Sequence, residues 1–408
     1  MDNTIESPEI NFDFRFDPAP LTHLAFLKVR QELIEAYLNK EHPSGFRRSS
    51  LYPVARAGKS GSEVFYLDVF FHGHEKPRRQ IAKFQNIRKT KEELEGANSA
   101  IIARFCQSVD SELHSSEDLG VIVYNLATAS DHIEFRGYFL DLGNADESCV
   151  IALRSIFQDI GRTANGEAER INLIKDYDLY VDRKTKPLHR LIALSSPGDD
   201  VDGLGGLAQN IQETYQRIRG KYDKPVYPYA VHGDLHARNL MLSRSNPAKT
   251  ELIDFGWVHS GHPAKDFVLM ECTLKYMLLP ELLQAGRSNE RENLYFTAKQ
   301  LNAFENYIGR FGFELPPVDE MLNCVFADSV ILKYQRTCIT RTYMCMAEVR
   351  RAAGEVLDSY CKKHNADGMT ALEHYSVGFF LVTLGLLEMP ELDRLGAMIG
   401  LRTLGEFL

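Results

Sequence analysis

The feature that most restricts how this chain can fold is a pair of short segments, VHGDLHARNLML (Val231–Leu242) and KTELIDFGWV (Lys249–Val258). Both have apolar stretches that belong in a core. Both also carry groups that cannot stay in a core without partners: His232, Asp234, His236, Arg238 and Asn239 in the first, Asp254 in the second. Two short strands joined by the turn SRSNPA satisfy both demands, burying the apolar residues and presenting the polar ones on adjoining loops. Such a hairpin needs a large body around it, and at 408 residues the chain has room for about two or three domain-sized units.

Composition narrows the class. With 44% hydrophobic and 25% charged residues the chain reads as an ordinary globular protein. A net charge of −9 argues against wholesale nucleic-acid binding and leaves room for a cationic partner. The seven cysteines are scattered and lack CxxC spacing, so they read as reduced thiols of a cytoplasmic protein. The N-terminal MDNTIESPEINFDF has no basic-then-apolar signal pattern. The apolar run VGFFLVTLGLL (Val377–Leu387) falls short of the roughly 20 residues a spanning helix needs and predicts a buried helix, so no membrane role is expected.

The chain reads in two unequal parts. Residues 1–20 look flexible. LTHLAFLKVRQELIEAYL, with Leu24, Phe26, Leu27, Leu33, Ile34 and Leu38 at helical spacing, predicts an amphipathic helix. EVFYLDVFF and RQIAKFQ predict strands of a hairpin around HGHEKP, whose His72 and His74 read as a solvated tip. Helix is expected over Thr90–Phe105, capped by Thr90, and a buried strand over GVIVYNLA (Gly120–Ala127). A boundary near Asn125–Ser130 gives an N-lobe over 21–126 and a C-lobe over 127–408. The C-lobe reads as helical, interrupted by the polar DYDLYVDRKTKPLHR and by SSPGDDVDGLGG, and almost wholly helical over 264–408.

Phosphoryl transfer asks little covalent work of a protein. It needs a positioned acceptor hydroxyl, a carboxylate beside it, and cations that neutralise the phosphates. Asp234 can take the proton of an attacking hydroxyl. Asn239 offers an amide oxygen and Asp254 a carboxylate to a hard cation, and Gly256 lets the chain turn after IDF.

HGDLHARN followed by IDFG resembles the aminoglycoside phosphotransferase and choline kinase-like branch of the protein-kinase-like superfamily. The resemblance implies Asp234 as catalytic base, Asn239 and Asp254 as magnesium ligands, and His232 and His236 as braces of the loop. It also implies that Asp266, in GHPAKDF, anchors the loop's backbone. In the first part it implies a phosphate-covering Ser-Gly loop at Ser60, Gly61 and Ser62, a strand lysine at Lys83, and an adenine hinge around Tyr124, Asn125 and Ala127. The helix glutamate that pairs with the lysine is assigned to Glu95, with Glu92 and Glu93 as alternatives. Trp257 and Arg238 depart from the family pattern and could project toward the acceptor; His259 and His262 could line the acceptor site or pack.

The expectation is therefore an α+β, bilobal protein-kinase-like fold, with a small antiparallel sheet plus helix in the N-lobe, a large mainly helical C-lobe, and the nucleotide between them. The expected activity is transfer from ATP or GTP, with Mg²⁺, to a hydroxyl of a small-molecule acceptor. Two other readings are a kinase-like enzyme acting on a protein or nucleic-acid partner in a stress or defence system, and a non-catalytic nucleotide-binding pseudokinase.

Overall fold

The computed structural model describes residues 9–12, 24–53, 62–97, 114–116, 118–125, 131–160, 169–181, 204–285, 295–327, 331–364 and 368–408. The chain divides into two compact units. The first comprises Met1–Ile133, Met241–Asn246 and Glu251–Val258, and the second Glu134–Leu240, Pro247–Thr250 and His259–Leu408. The division thus falls beyond the 126/127 boundary read from the sequence, and much of the IDFG hairpin belongs with the first unit.

The first unit is built on a six-stranded sheet in the order β1-β2-β3-β4-β6-β5. Its elements are β1 (Glu9–Phe12), α1 (Leu24–Glu41), β2 (Arg48–Pro53), β3 (Glu63–Phe70), β4 (Arg78–Asn86), α2 (Ile87–Ala97), β5 (His114–Ser116) and β6 (Leu119–Asn125). Only β1 pairs in parallel, with β2; the other pairs are antiparallel. Alternation in β3 turns Phe65, Leu67 and Val69 to one face, where Leu33, Ile34, Tyr37 and Leu38 of α1 cover them. Burying each large apolar side chain contributes about 1.5–3 kcal/mol. On the other face Asp68 holds Arg79 through two bonds of 2.8 and 2.9 Å and accepts from Tyr52 Oη at 3.0 Å.

Helix α2 starts earlier than Thr90. Asn86 Oδ1 accepts from the Arg88 N–H at 2.9 Å and takes the place given to Thr90 by the sequence reading. Thr90 is buried instead, its hydroxyl donating to the Asn86 carbonyl at 3.1 Å. The remainder of the expected helix, residues 98–105, lies outside the described residues.

β7 (His132–Glu134) lies beside the hairpin of β11 (Leu240–Ser243) and β12 (Thr250–Leu252), in the order β12-β11-β7. The second unit then contains α3 (Phe135–Leu140), α4 (Asp146–Ile160), β8 (Ile171–Asn172), α5 (Leu173–Val181), α6 (Leu204–Tyr222), β9 (Pro225–Val226), β10 (Tyr229–Val231) and β13 (His259–Gly261). Helices follow: α7 (Lys265–Thr273), running through a π-turn at Leu274–Leu278 into α8 (Leu279–Ala285), then α9 (Ala298–Gly309), α10 (Val318–Val325), α11 (Lys333–Lys363), α12 (Ala371–Leu386) and α13 (Arg394–Gly405). The apolar run expected to be a buried helix is α12, whose side chains from Val377 to Leu386 are all buried. Among the described residues no helix is long and apolar enough to cross a membrane. One expectation fails here: residues 176–181 of the polar DYDLYVDRKTKPLHR are not an interruption but most of α5.

The helices are tied by charges as well as apolar packing. Arg350 of α11 grips Glu271 of α7 through Nε (2.9 Å) and Nη2 (2.8 Å), and Tyr375 of α12 donates to the same carboxylate. Desolvation would raise the Glu271 pKa, but Arg350 and Lys275 outweigh it and hold the carboxyl below its usual range. Glu271→Ala would leave a guanidinium buried without its carboxylate, so it is expected to cost about 3–5 kcal/mol, read as a fall in the denaturant midpoint of the full chain. A change under about 1 kcal/mol would show that the pair contributes little.

Candidate active site

In the first unit the site begins at Lys83, in the buried run of β4. Its Nζ lies 2.8 Å from Glu93 Oε2 and 2.7 Å from Asp254 Oδ1, although Asp254 is far along the chain. Lys83 and Glu93 are buried, while about a third of the Asp254 side chain is exposed. Burial alone would lower the lysine pKa, but the two carboxylates more than offset it and the ammonium is favoured. Glu93 is pushed up to about 7, first by burial and further by Asp254, against Lys83 and Gln85. The glutamate paired with Lys83 is therefore Glu93, correcting the assignment to Glu95. Glu95 is exposed, and Glu92 bonds Arg88 on the surface at 3.0 Å. Helical geometry explains the correction, because Glu93 falls on the buried face of α2 with Thr90, whereas Glu95 is turned about 200° away from it.

Asp254 has φ = 66°, the one positive φ at a non-glycine among the described residues. Left-handed backbone is uncommon for a side chain with Cβ and is concentrated at functional positions. Here it sets the carboxylate at the end of its segment, against Lys83. Phe255 then packs on Tyr124, with ring centroids 5.9 Å apart. Tyr124 is buried and its backbone pairs with Ile81, while Asn125 pairs with Gln80. Ser60, Gly61 and Ala127 lie outside the described residues; Ser62 is buried at the start of β3. Trp257 is half-buried.

In the second unit, β10 ends at Val231 and the loop 232–239 follows. Asp266, at the start of α7, accepts the His232 N–H at 2.8 Å and the Gly233 N–H at 2.9 Å, one on each carboxylate oxygen. Gly233 supplies φ = 77° for the turn. Asn239 Nδ2 donates to the Asp234 carbonyl at 2.8 Å, and the Asn239 N–H to the His236 carbonyl at 2.9 Å. The Arg238 N–H donates to His236 Nδ1 at 3.2 Å, and His236 Nε2 lies 3.8 Å from Asp234 Oδ2. His232 Nδ1 accepts a longer bond, 3.4 Å, from the Asp234 N–H. Its own polar atoms and Asp266 hold much of the loop, and about a third of the Asp234 side chain is exposed. Arg238 is half-buried near Glu134, whose carboxyl is raised by burial with Arg238 and Arg136 opposing.

Sequence reading missed the helix that braces this loop. From α5, Tyr180 donates to the Gly233 carbonyl, Tyr177 Oη bonds His262 Nδ1 at 2.8 Å, and Asp176 accepts the His262 N–H at 2.8 Å. Asp176 also meets Lys265 Nζ at 2.7 Å and His259 Nε2 at 3.3 Å. His262 Nε2 continues to His374 Nδ1 at 2.9 Å, with both rings fully buried. His259 and His262 thus serve packing and pairing. Gly261 is required by the β10 and β13 pairing, since a Cβ there would lie 2.7 Å from Val231 Cγ2. Polar residues spaced at i, i+1 and i+4 along DYDLY were the available signal.

Burial would raise the Asp176 pKa, but His259 and Lys265 prevail and hold it far below the usual range. Burial lowers that of Lys265 more than Asp176 restores it. The 2.7 Å contact between two largely buried groups sides with an ionised pair. Because the folded carboxyl titrates below its unfolded value of about 3.9, its stabilisation is present above that pH and is lost as pH falls through the folded value. Asp176→Asn is therefore expected to lower the thermal midpoint at neutral pH, with the gap to the native chain closing below about pH 4. A gap independent of pH would contradict an ionised Asp176.

Asn239 of the second unit and Asp254 of the first each carry an oxygen of the kind a hard cation takes. Because Asn239 spends Nδ2 on the Asp234 carbonyl, its Oδ1 is the atom left to ligate, and Asp254 brings a carboxylate. Amide and carboxylate oxygens are both ligand types that Mg²⁺ accepts beside phosphate and water. Among the described residues no cluster of three or more His, Cys, Asp or Glu side chains forms an all-protein cage. A separate cavity of about 300 Å³ lies beside the π-turn, lined by Lys275, Tyr276, Phe304 and Glu305 among others; the loop 232–239 contributes nothing to it.

Residues 200–285 match the sequence model of the phosphotransferase enzyme family, a span that holds both motifs. No curated protein matches the chain. Among solved structures, a glucosamine kinase in complex with glucosamine, ADP and inorganic phosphate is similar at 11% identity and a TM-score of 0.44, covering 91% of this chain and 82% of that one. A choline kinase from Cryptosporidium parvum Iowa II is similar at 10% identity and a TM-score of 0.44, covering 92% and 95%. An aminoglycoside phosphotransferase from Streptomyces rimosus is similar at 12% identity and a TM-score of 0.35, covering 78% and 98%. The matched span carries HGDLHARN, IDFG and Asp266, so it is this part of the chain that is similar to the phosphotransferase enzyme family.

Proposed function

We propose that this chain is a kinase that transfers the γ-phosphoryl group of ATP or GTP to a hydroxyl of a small-molecule acceptor. The observation that carries the reading is Lys83 bonded at once to Glu93 and to the Asp254 of IDFG. A buried ammonium held between two carboxylates, one of them half-exposed, is poised to be shared with a polyphosphate.

In this reading Asp234 accepts the proton of the acceptor hydroxyl as that oxygen forms its bond to the γ-phosphorus and the bond to the β-phosphate oxygen breaks. Asp266 fixes the His232 and Gly233 amides, so the Asp234 carboxylate is presented without reorganisation. Lys83 offsets charge on the nucleotide phosphates. Asn239 Oδ1 and the Asp254 carboxylate would hold Mg²⁺, which neutralises phosphate charge when bound. His236, 3.8 Å from Asp234 and fixed through the Arg238 amide, limits the carboxylate's swing. The backbone of Tyr124 and Asn125 is assigned to the adenine or guanine base. The readings as a kinase of macromolecules and as a non-catalytic sensor draw no support from the family match.

Asp234→Ala is expected to lower transfer by about 10²–10⁴-fold while sparing nucleotide affinity. The measurement is transfer from γ-labelled ATP and GTP to a metabolite extract, with Asp254→Ala as the blank. Persistence of transfer in the Asp234 variant would remove Asp234 from the base role.

A further inference from the structure

Two positions after Lys83 on β4, and so on the same face, stands Gln85. It is buried, and both ends of its amide are used. Nε2 donates to Glu93 Oε2 at 2.6 Å, and Oε1 accepts from Ser62 Oγ at 3.1 Å. Glu93 Oε2 therefore receives Gln85 and Lys83 together, at 2.6 and 2.8 Å, while Glu93 Oε1 is buried with no hydrogen-bond partner. Ser62 closes the Ser-Gly stretch that precedes β3. Gln85 donates on one side and accepts on the other, which an amide can do and neither an ionised carboxylate nor an apolar side chain can.

An ammonium facing a carboxylate can bond either oxygen or bridge both. With Gln85 committed to Oε2, and Ser62 fixing the amide's other end, Lys83 is led to that same oxygen and its remaining N–H bonds are directed to Asp254 and beyond. We propose that Gln85 is a positioning residue for the nucleotide phosphates, linking the start of β3 at Ser62 to the Glu93 oxygen that holds Lys83. This rests on the nucleotide reading given above. It adds a residue that touches none of the reacting groups and is selected for having both a donor and an acceptor.

The test is the affinity of the full chain for ATP and for GTP with magnesium, by titration calorimetry, across six variants. Lys83→Met sets the reference and is expected to lose most binding. Gln85→Met, of similar length but without the amide, is expected to weaken binding by about tenfold, the effect of about one well-placed hydrogen bond. Ser62→Ala is expected to weaken it less. Combining Ser62→Ala with Gln85→Met is expected to add almost nothing to Gln85→Met alone, because the shared bond is already gone. Gln85→Glu sets two carboxylates against each other and is expected to bind worst of the Gln85 variants. Adding Glu93→Gln to it restores one amide facing one carboxylate and is expected to recover much of the loss.

That recovery separates positioning from a mere loss of packing, and it carries the test if Gln85→Met fails to fold. Native affinity in Gln85→Met, losses that multiply in the Ser62 and Gln85 pair, or no recovery in the swap would each overturn the inference while leaving the nucleotide reading intact. A native chain that binds neither nucleotide, or a Lys83→Met chain that binds normally, would overturn both.

Discussion

The first unit is organised around one buried ammonium. Placing Lys83 in the core of a sheet is costly unless carboxylates compensate it, and two of them do, at 2.8 and 2.7 Å. That requirement constrains the elements around it. α2 must begin at Ile87 to bring Glu93, and not Glu92 or Glu95, to the lysine. The IDFG segment must take the left-handed conformation at Asp254 to bring its carboxylate in. The start of α2 is also what Asn86 favours as a cap, but the left-handed Asp254 is not what local preference alone would choose, and there the charge at Lys83 is what the turn satisfies.

The second unit solves a related problem for its loop. The irregular backbone of the loop 232–239 has no ladder to pair its amides and carbonyls, so where it is buried they need other partners. Asp266 takes two of those amides, Asn239 takes a carbonyl, and Tyr180 takes another. Asp266 is itself seated by α7, and its neighbour Lys265 is bound by Asp176 of α5. Fixed partners on both sides hold the backbone around Asp234 in place, which is what its proposed role as proton acceptor would require.

Much of this was legible in the chain. The β3 and β4 hairpin follows from alternation in EVFYLDVFF and RQIAKFQ, and the buried helix α12 from an apolar run too short to span a bilayer. HGDLHARN and IDFG marked the two polar stretches. Glu93 was not separable from Glu92 and Glu95, because the phase of α2 depends on where the helix starts, and Asn86 rather than Thr90 decides that. Helix α5 was hidden because Asp176, Tyr177 and Tyr180 look like loop residues until their partners appear. Those partners, Lys265, His262 and Gly233, are distant in sequence.

The sequence by itself determined which groups this chain has to place: a strand lysine, three aspartates, an asparagine and the glycines that let their loops turn. It did so because strand and turn patterns are short-range and because these residue types tolerate burial only with partners. Only the tertiary structure decided the pairings. Which glutamate meets Lys83, which amide joins Glu93 to Ser62, and which helix carries the tyrosine that holds Gly233 are matches made in space. They are fixed by helix phase and by the compensation of buried charge, which a sequence window does not state even where, as for Lys83 and Glu93, the partners stand only ten residues apart.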